Sequence, residues 1–168
     1  MPAQEPAEKW YYDACTLDAS LESLDEIINK RNFHKAYTSN LAIGEACANC
    51  FNTNDEQFDA FVDLIRRLRG YIEIVNNDGV EEIVAQIKVI CSRISFADRI
   101  HLATALREKC CNFRTIDKDF TAVTRRDCEK LAHQYGINRL SITLMNLGNK
   151  RELFKAKKAK YRQKKDRF

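Results

Sequence analysis

The chain has no uninterrupted apolar run long enough to cross a bilayer, which excludes a membrane-spanning helix. It has no G-x-S-x-G, no P-loop and no G-x-G-x-x-G, which argues against a serine hydrolase or a nucleotide-dependent enzyme. No internal repeat is visible, and no low-complexity segment precedes the C-terminal tail. Residues 1–8 lack the basic start and apolar stretch of a signal peptide and read as a short disordered lead-in. Seven cysteines is an odd number, which points to reduced thiols in a cytosol rather than a disulfide framework. Cys47 and Cys50 have C-x-x-C spacing, but no second pair follows, and Cys110-Cys111 is poorly spaced as a partner. Thiols filling a helix face are therefore favoured over a zinc site. The three histidines, His34, His101 and His133, are scattered. His101 follows Asp98 by three residues and is read as packed near it rather than catalytic.

What the chain does have is 168 residues of ordinary globular composition, enough for one domain with a real core. The net charge of +4 hides an asymmetry. Residues 150–168 hold ten Lys/Arg against two acids, while the rest of the chain holds 18 basic residues against 22 acidic ones. Such a tail suits an electrostatic grip on nucleic acid, and equally a solvated extension that aids solubility.

Hydrophobic spacing divides the body into alternating elements. Lys9-Trp10-Tyr11-Tyr12 suits a short buried strand. Leu17, Leu21, Leu24, Ile27 and Ile28 predict a helix over 17–30, and Ala36-Tyr37-Thr38 reads as a connector. A helix carrying Glu45 follows, with Ser39 or Asn40 as its cap. Residues 55–69 form an amphipathic pattern stopped by Gly70. Residues 71–75 read as a strand and 76–79 as a turn. Helical spacing returns over 80–93 and over 97–109, the latter capped by Ser95. Residues 112–116 are a strand, 121–135 a helix ended by Gly136, and 139–145 a last strand. This alternation is the signature of an α/β domain with a mainly parallel sheet.

Four acids then stand out: Asp13, Glu45, Asp98 and Asp117, each inside or at the end of an apolar segment. Carboxylates are rarely buried without a partner. In parallel sheets ligands collect at the carboxyl ends of strands, and Asp13 and Asp117 each follow a predicted strand directly. If the four converge, a hard divalent ion, Mg²⁺ or Mn²⁺, is the cheapest partner for oxygen-only ligands. Such ions commonly activate water against a phosphodiester. Any one acid alone reads as well as a helix cap or a surface charge, Asp117 in particular as a turn cap. Thr115 either orients a carboxylate or simply suits a strand. Asp119 reads as a turn cap or solvent-facing charge before a ligand, and Ser39 as a helix cap before a substrate contact.

These residues carry a resemblance. Trp10-Tyr11-Tyr12-Asp13, Ser39-Asn40-Leu41-Ala42-Ile43-Gly44-Glu45, Asp98-Arg99-Ile100-His101-Leu102-Ala103-Thr104-Ala105 and Thr115-Ile116-Asp117-Lys118-Asp119-Phe120 together resemble a PIN-domain nuclease of the VapC-like branch. The resemblance covers roughly residues 9–145, and the last two motifs are its specific ones. It implies a three-layer α/β/α fold around a parallel sheet, Mg²⁺- or Mn²⁺-dependent endonucleolytic cleavage of RNA, and often homodimers. It implies that Asp13, Asp98 and Asp117 hold metal and that Glu45 holds a second ion or orients the attacking water. Thr115, Asp119 and Ser39 are accessory candidates. The implied organisation is a lead-in at 1–8, a nuclease domain at 9–149 and a basic tail at 150–168. Tail residues Lys155, Lys157, Lys158, Lys160, Arg162, Lys164 and Lys165 are candidates for RNA contact. The chain departs from the family in having Ala14-Cys15 where a small polar pair usually follows the first Asp, and in the length of its tail. Two rival readings remain beside a cytoplasmic nuclease. One is a non-cleaving module that grips RNA or protein, and the other is a toxin restrained by an antitoxin or other regulatory protein.

Overall fold

The computed structural model describes residues 7–18, 26–51 and 55–145; the basic tail and its candidate RNA contacts lie outside the described residues. In chain order the elements are β1 (Glu8–Tyr12), α1 (Ala14–Asp18), β2 (His34–Ser39), α2 (Asn40–Phe51), α3 (Asp55–Leu68) and β3 (Ile72–Val75). There follow α4 (Glu81–Ile90), α5 (Phe96–Arg107), β4 (Asn112–Thr115), a 3₁₀ turn (Lys118–Ala122), α6 (Arg125–Gln134) and β5 (Ser141–Leu144). Glu8, assigned from sequence to the lead-in, opens β1.

The five strands form one sheet in the order β3-β2-β1-β4-β5, and every pairing is parallel. Parallel neighbours need long crossovers, and helices supply them on both faces. Alternation along β1 shows the two layers. Tyr11 points into a core with Tyr37, Phe113, Leu102, Leu106 and Leu131, beneath α4, α5 and α6. Tyr12, the next residue, points into a second core with Leu17, Ala42, Ala46, Phe61 and Leu64, beneath α1, α2 and α3. The architecture is therefore the three-layer α/β/α arrangement expected. Aromatic packing fixes the centre: the Tyr11 and Phe113 rings stack at 5.2 Å, and Phe113 meets Phe120 at 4.7 Å.

The residues read as a connector, Ala36-Tyr37-Thr38, are instead the middle of β2, paired with β1 and β3. All three are buried because β2 has a helical layer on each face, so no polar alternation marks it as a strand. The helix expected over 17–30 starts earlier, as α1, and 26–29 are helical; 19–25 lie outside the described residues. The helix expected from Thr121 begins only at Arg125, after the 3₁₀ turn. Thr124 sets that start through a reciprocal capping box with Asp127. Gly136, at φ +63°, provides the left-handed stop after α6.

The connection order places a crevice. From β1 the chain steps through β2 to β3 on one side, and from β4 to β5 on the other. The order thus reverses between β1 and β4, the place where open α/β sheets bind ligands beyond the strand ends. No helix among the described residues is long and apolar enough to cross a membrane.

Candidate functional site

β1 and β4 end side by side, and each delivers an acid to the crevice. Asp13 is the first residue past β1, and Thr115 and Asp117 lie at and just past the end of β4. Asp13 is 4% exposed. Its Oδ1 accepts from the Cys15 thiol at 2.9 Å and from the Thr16 backbone N–H at 3.2 Å. Burial pushes its carboxyl up to about 6, against the opposing effect of hydrogen bonds from Cys15, Thr115 and Thr16 and of nearby His101. Burial also pushes the Cys15 thiol well up, with the Asp13 charge adding to it, so this sulfur serves as a neutral donor. Cys15 thus provides the donor that a small polar residue would supply at this position.

Thr115 joins two acids. Its Oγ accepts from the Asp117 backbone N–H at 2.9 Å and lies 3.4 Å from the Cys15 sulfur. Asp117 caps the 3₁₀ turn, its Oδ1 accepting from the Asp119 N–H at 2.9 Å. Asp98 is held at the head of α5 by reciprocal bonds with the cap residue. The Ser95 hydroxyl donates to Asp98 Oδ2 at 2.6 Å and accepts from the Asp98 N–H at 3.1 Å. The three carboxylates of Asp98, Asp117 and Asp119 each place an oxygen within 4.8 Å of the others. Among the described residues none of the three makes an ion pair.

Capping and convergence coexist here. The caps fix the backbone of each acid, and the crevice brings the fixed acids together. Three like charges at this distance repel, and an oxygen-only donor set fits a hard divalent cation that would remove the repulsion. Asp119, which in sequence reads as a turn cap, belongs to this group. Asp13 stands behind it through Thr115.

Glu45 is not among the three grouped acids; its carboxylate is tied to His101 instead. It lies on α2, and its Oε2 sits 2.9 Å from Nε2 of His101 on α5. The other ring nitrogen, Nδ1, is 3.0 Å from the Tyr11 hydroxyl, which donates to Ser39 Oγ at 2.8 Å. Ser39 Oγ also accepts the Ala42 N–H at 3.2 Å, the capping contact of α2. Burial pushes the Tyr11 phenol far up, so it is a neutral partner. Tyr11 does not stand out in the sequence, although a buried tyrosine two residues before an acid on a central strand needs a polar partner for its hydroxyl. Close by, a groove of about 720 Å³ lies between the heads of α2 and α5, lined among others by Asn40, Leu41, Asn77, Phe96 and Ile100.

The C-x-x-C pair makes no site among the described residues. Cys47 packs half-buried against the core beneath α2, and the Cys50 side chain lies outside the described residues. The six described cysteines are all free.

A family model described as PIN domain matches residues 13–126. Among solved structures, the chain is similar to one in the crystal structure of VapBC2 from Rickettsia felis bound to a DNA fragment from their promoter. The two share 9% identity with a TM-score of 0.58, over 82% of this chain and 99% of that one. No curated protein matches the sequence.

Proposed function

The chain belongs to the PIN domain family, a family of nucleases, and on that premise we propose that it is a divalent-metal-dependent endoribonuclease. One observation carries the reading: the carboxylates of Asp98, Asp117 and Asp119 meet within 4.8 Å at the crevice where the sheet order reverses. Asp98, Asp117 and Asp119 hold Mg²⁺ or Mn²⁺, with Asp13 as a further ligand from the end of β1. The bound ion supplies charge neutralisation on the phosphate and a water of lowered pKa. Thr115 and Cys15 fix the direction of the Asp13 carboxylate, and Glu45, held at Oε2 by His101, orients the attacking water.

Incubating the protein with single-stranded RNA, with and without Mn²⁺, tests this. Internal cleavage should require the ion and fall at least ~10²-fold in Asp98→Asn, the scale on which loss of one charge-stabilising group acts. Cleavage that persists with excess chelator, or that Asp98→Asn retains, would sink the reading.

We further propose a cytoplasmic, homodimeric protein whose tail, residues 150–168, contacts the RNA backbone through Lys155, Lys157, Lys158, Lys160, Arg162, Lys164 and Lys165. An acidic crevice repels RNA, and the tail offsets that repulsion at longer range. Truncation after Asn149 should leave the melting temperature unchanged and flatten the salt dependence of RNA binding. The slope should fall by roughly 0.7 for each phosphate that the tail no longer neutralises. An unchanged slope with a lowered melting temperature would assign the tail to packing instead.

A second reading adds a partner to the same chemistry. The VapBC2 structure contains a chain of this fold, and it supports a role as a toxin held inactive by an antitoxin-like protein. Co-purification of a small partner that abolishes cleavage would favour it. The third reading, a non-cleaving module, rests on Ala14-Cys15, and the same RNA assay decides it.

A further inference from the structure

We propose that His101 is a positioning residue that sets the direction of the Glu45 carboxylate, with Tyr11 as the fixed post that holds the imidazole; this rests on the proposed nuclease reading.

The geometry is unusually complete for one side chain. His101 is 2% exposed, and both ring nitrogens have a partner at hydrogen-bond distance. A carboxylate has only acceptors, so Nε2 donates to Glu45, and because the Tyr11 hydroxyl gives its one hydrogen to Ser39, Nδ1 donates to the Tyr11 oxygen. Nδ1 meets the Tyr11 hydroxyl at 3.0 Å, which fixes the rotation of the ring. Tyr11 in turn cannot move. It is fully buried on the central strand, stacked on Phe113, and tied to Ser39, which caps the helix that carries Glu45. The four groups close a loop through β1, β2, α2 and α5.

That loop answers a problem specific to Glu45. Asp13, Asp98 and Asp117 are tied by hydrogen bonds to nearby backbone N–H or hydroxyl groups, but Glu45 lies in the second turn of α2 on a longer side chain that remains 36% exposed. Without an external tie it would sample several rotamers. His101 holds Oε2 and leaves the rest of the carboxylate open. This is the part a ligand-orienting neighbour plays in metal sites. Packing alone would be met by any apolar side chain of similar size, and it gives no reason for two aligned polar contacts inside a core.

The test separates positioning from packing. In a glutamine side chain the amide nitrogen reaches about as far as Nε2, so His101→Gln keeps a donor to Glu45. Asparagine reaches only about as far as Nδ1, so His101→Asn keeps the Tyr11 side and loses Glu45. With RNA and saturating Mn²⁺, His101→Asn should lower kcat about 10- to 100-fold with KM unchanged, and His101→Gln should recover most of it. Equal losses in both variants, following the drop in melting temperature, would overturn the proposal. A second readout needs no cleavage. The protein has three histidines, so the imidazole signals of ¹⁵N-labelled protein can be assigned by substitution. Both Glu45→Gln and Tyr11→Phe should shift the His101 ring nitrogens, and a spectrum that responds to neither overturns the loop itself. If the wild type cleaves no RNA with Mn²⁺, the nuclease reading fails separately. The ring-nitrogen signals then decide the role of His101 by themselves: a shift of the Glu45-facing nitrogen in Glu45→Gln supports it, and an unchanged spectrum in that variant overturns it.

Discussion

Asp13→Asn is expected to make the metal-free protein more stable and to abolish its cleavage of RNA. The stability effect follows from the buried carboxyl, which the fold raises from 3.8 to about 6. Well below pH 3.8 the group is protonated in both the folded and unfolded chain, and Asp13 carries no penalty. As pH rises from 4 to 6 the unfolded chain releases the proton while the folded one keeps it, so stability falls. Above pH 6 the full cost remains, about 3 kcal/mol, because a tenfold change in proton affinity is worth about 1.4 kcal/mol. Asparagine removes the charge and keeps an oxygen to accept from Cys15 and Thr16. Urea unfolding with chelator present should therefore show the variant about 3 kcal/mol more stable at pH 7.5 and nearly equal to the wild type at about pH 3. A variant that is less stable at pH 7.5, or a difference that does not vary with pH, would mean that Asp13 is a structural group. The loss of cleavage in a protein of higher stability would in turn separate function from folding at this position.

The second large effect concerns the acid group. On the proposed reading, Mn²⁺ should bind the carboxylates of Asp98, Asp117 and Asp119, assembled within 4.8 Å in the fold, and not the dispersed ones of the unfolded chain. At an ion concentration about 100 times the dissociation constant, linkage gives about 2.7 kcal/mol of added stability. For a chain of this size that is a rise of roughly 5–10 °C in melting temperature. Asp117→Asn should remove most of the rise. Asp119→Asn should reduce it as well, since its carboxylate stands in the same group. Without metal, both variants should melt at or above the wild-type temperature, because each removes a repelling charge. Differential scanning fluorimetry over a Mn²⁺ series reads all of this. A full rise in Asp117→Asn would place the ion elsewhere, and a full rise in Asp119→Asn alone would leave Asp119 as an exposed charge beside the site.

Much of the fold is legible in the sequence because the helices that face solvent have a periodic apolar side. Residues 55–68 and 81–90 are visible in this way. Ser95 and Gly136 also do in the structure what their chemistry suggests. β2 escapes for the opposite reason. A central parallel strand is buried on both faces, so Ala36-Tyr37-Thr38 shows no alternation, and its register is set by β1 and β3 rather than by its own pattern. The apolar spacing that continues through Phe120 and Val123 makes α6 look longer at its start than it is. It is the Thr124–Asp127 capping box that decides the boundary.

The acids are legible one by one, since each interrupts an apolar segment, but their grouping is not. Asp119 joins Asp98 and Asp117 because the 3₁₀ turn folds it back, and nothing in its spacing from Asp117 distinguishes that from an exposed turn. The Glu45–His101–Tyr11–Ser39 contacts join residues 28 to 90 positions apart in the chain, which no local pattern encodes.

The position of β1 in the sheet bears on how the protein is made. Trp10 pairs with Ala36 on one side and with Asn112 on the other. During synthesis the first partner emerges soon after β1, while the second arrives about 100 residues later. Until then a strand of three consecutive aromatics has one edge unpaired, the kind of surface on which nascent chains aggregate or recruit chaperones. Asp117 and Asp119 follow β4 directly, so the acid group cannot assemble before that edge closes. A ribosome-bound chain that has not yet completed β4 therefore lacks the assembled acid group, and the closing of the central strand's second edge times its appearance.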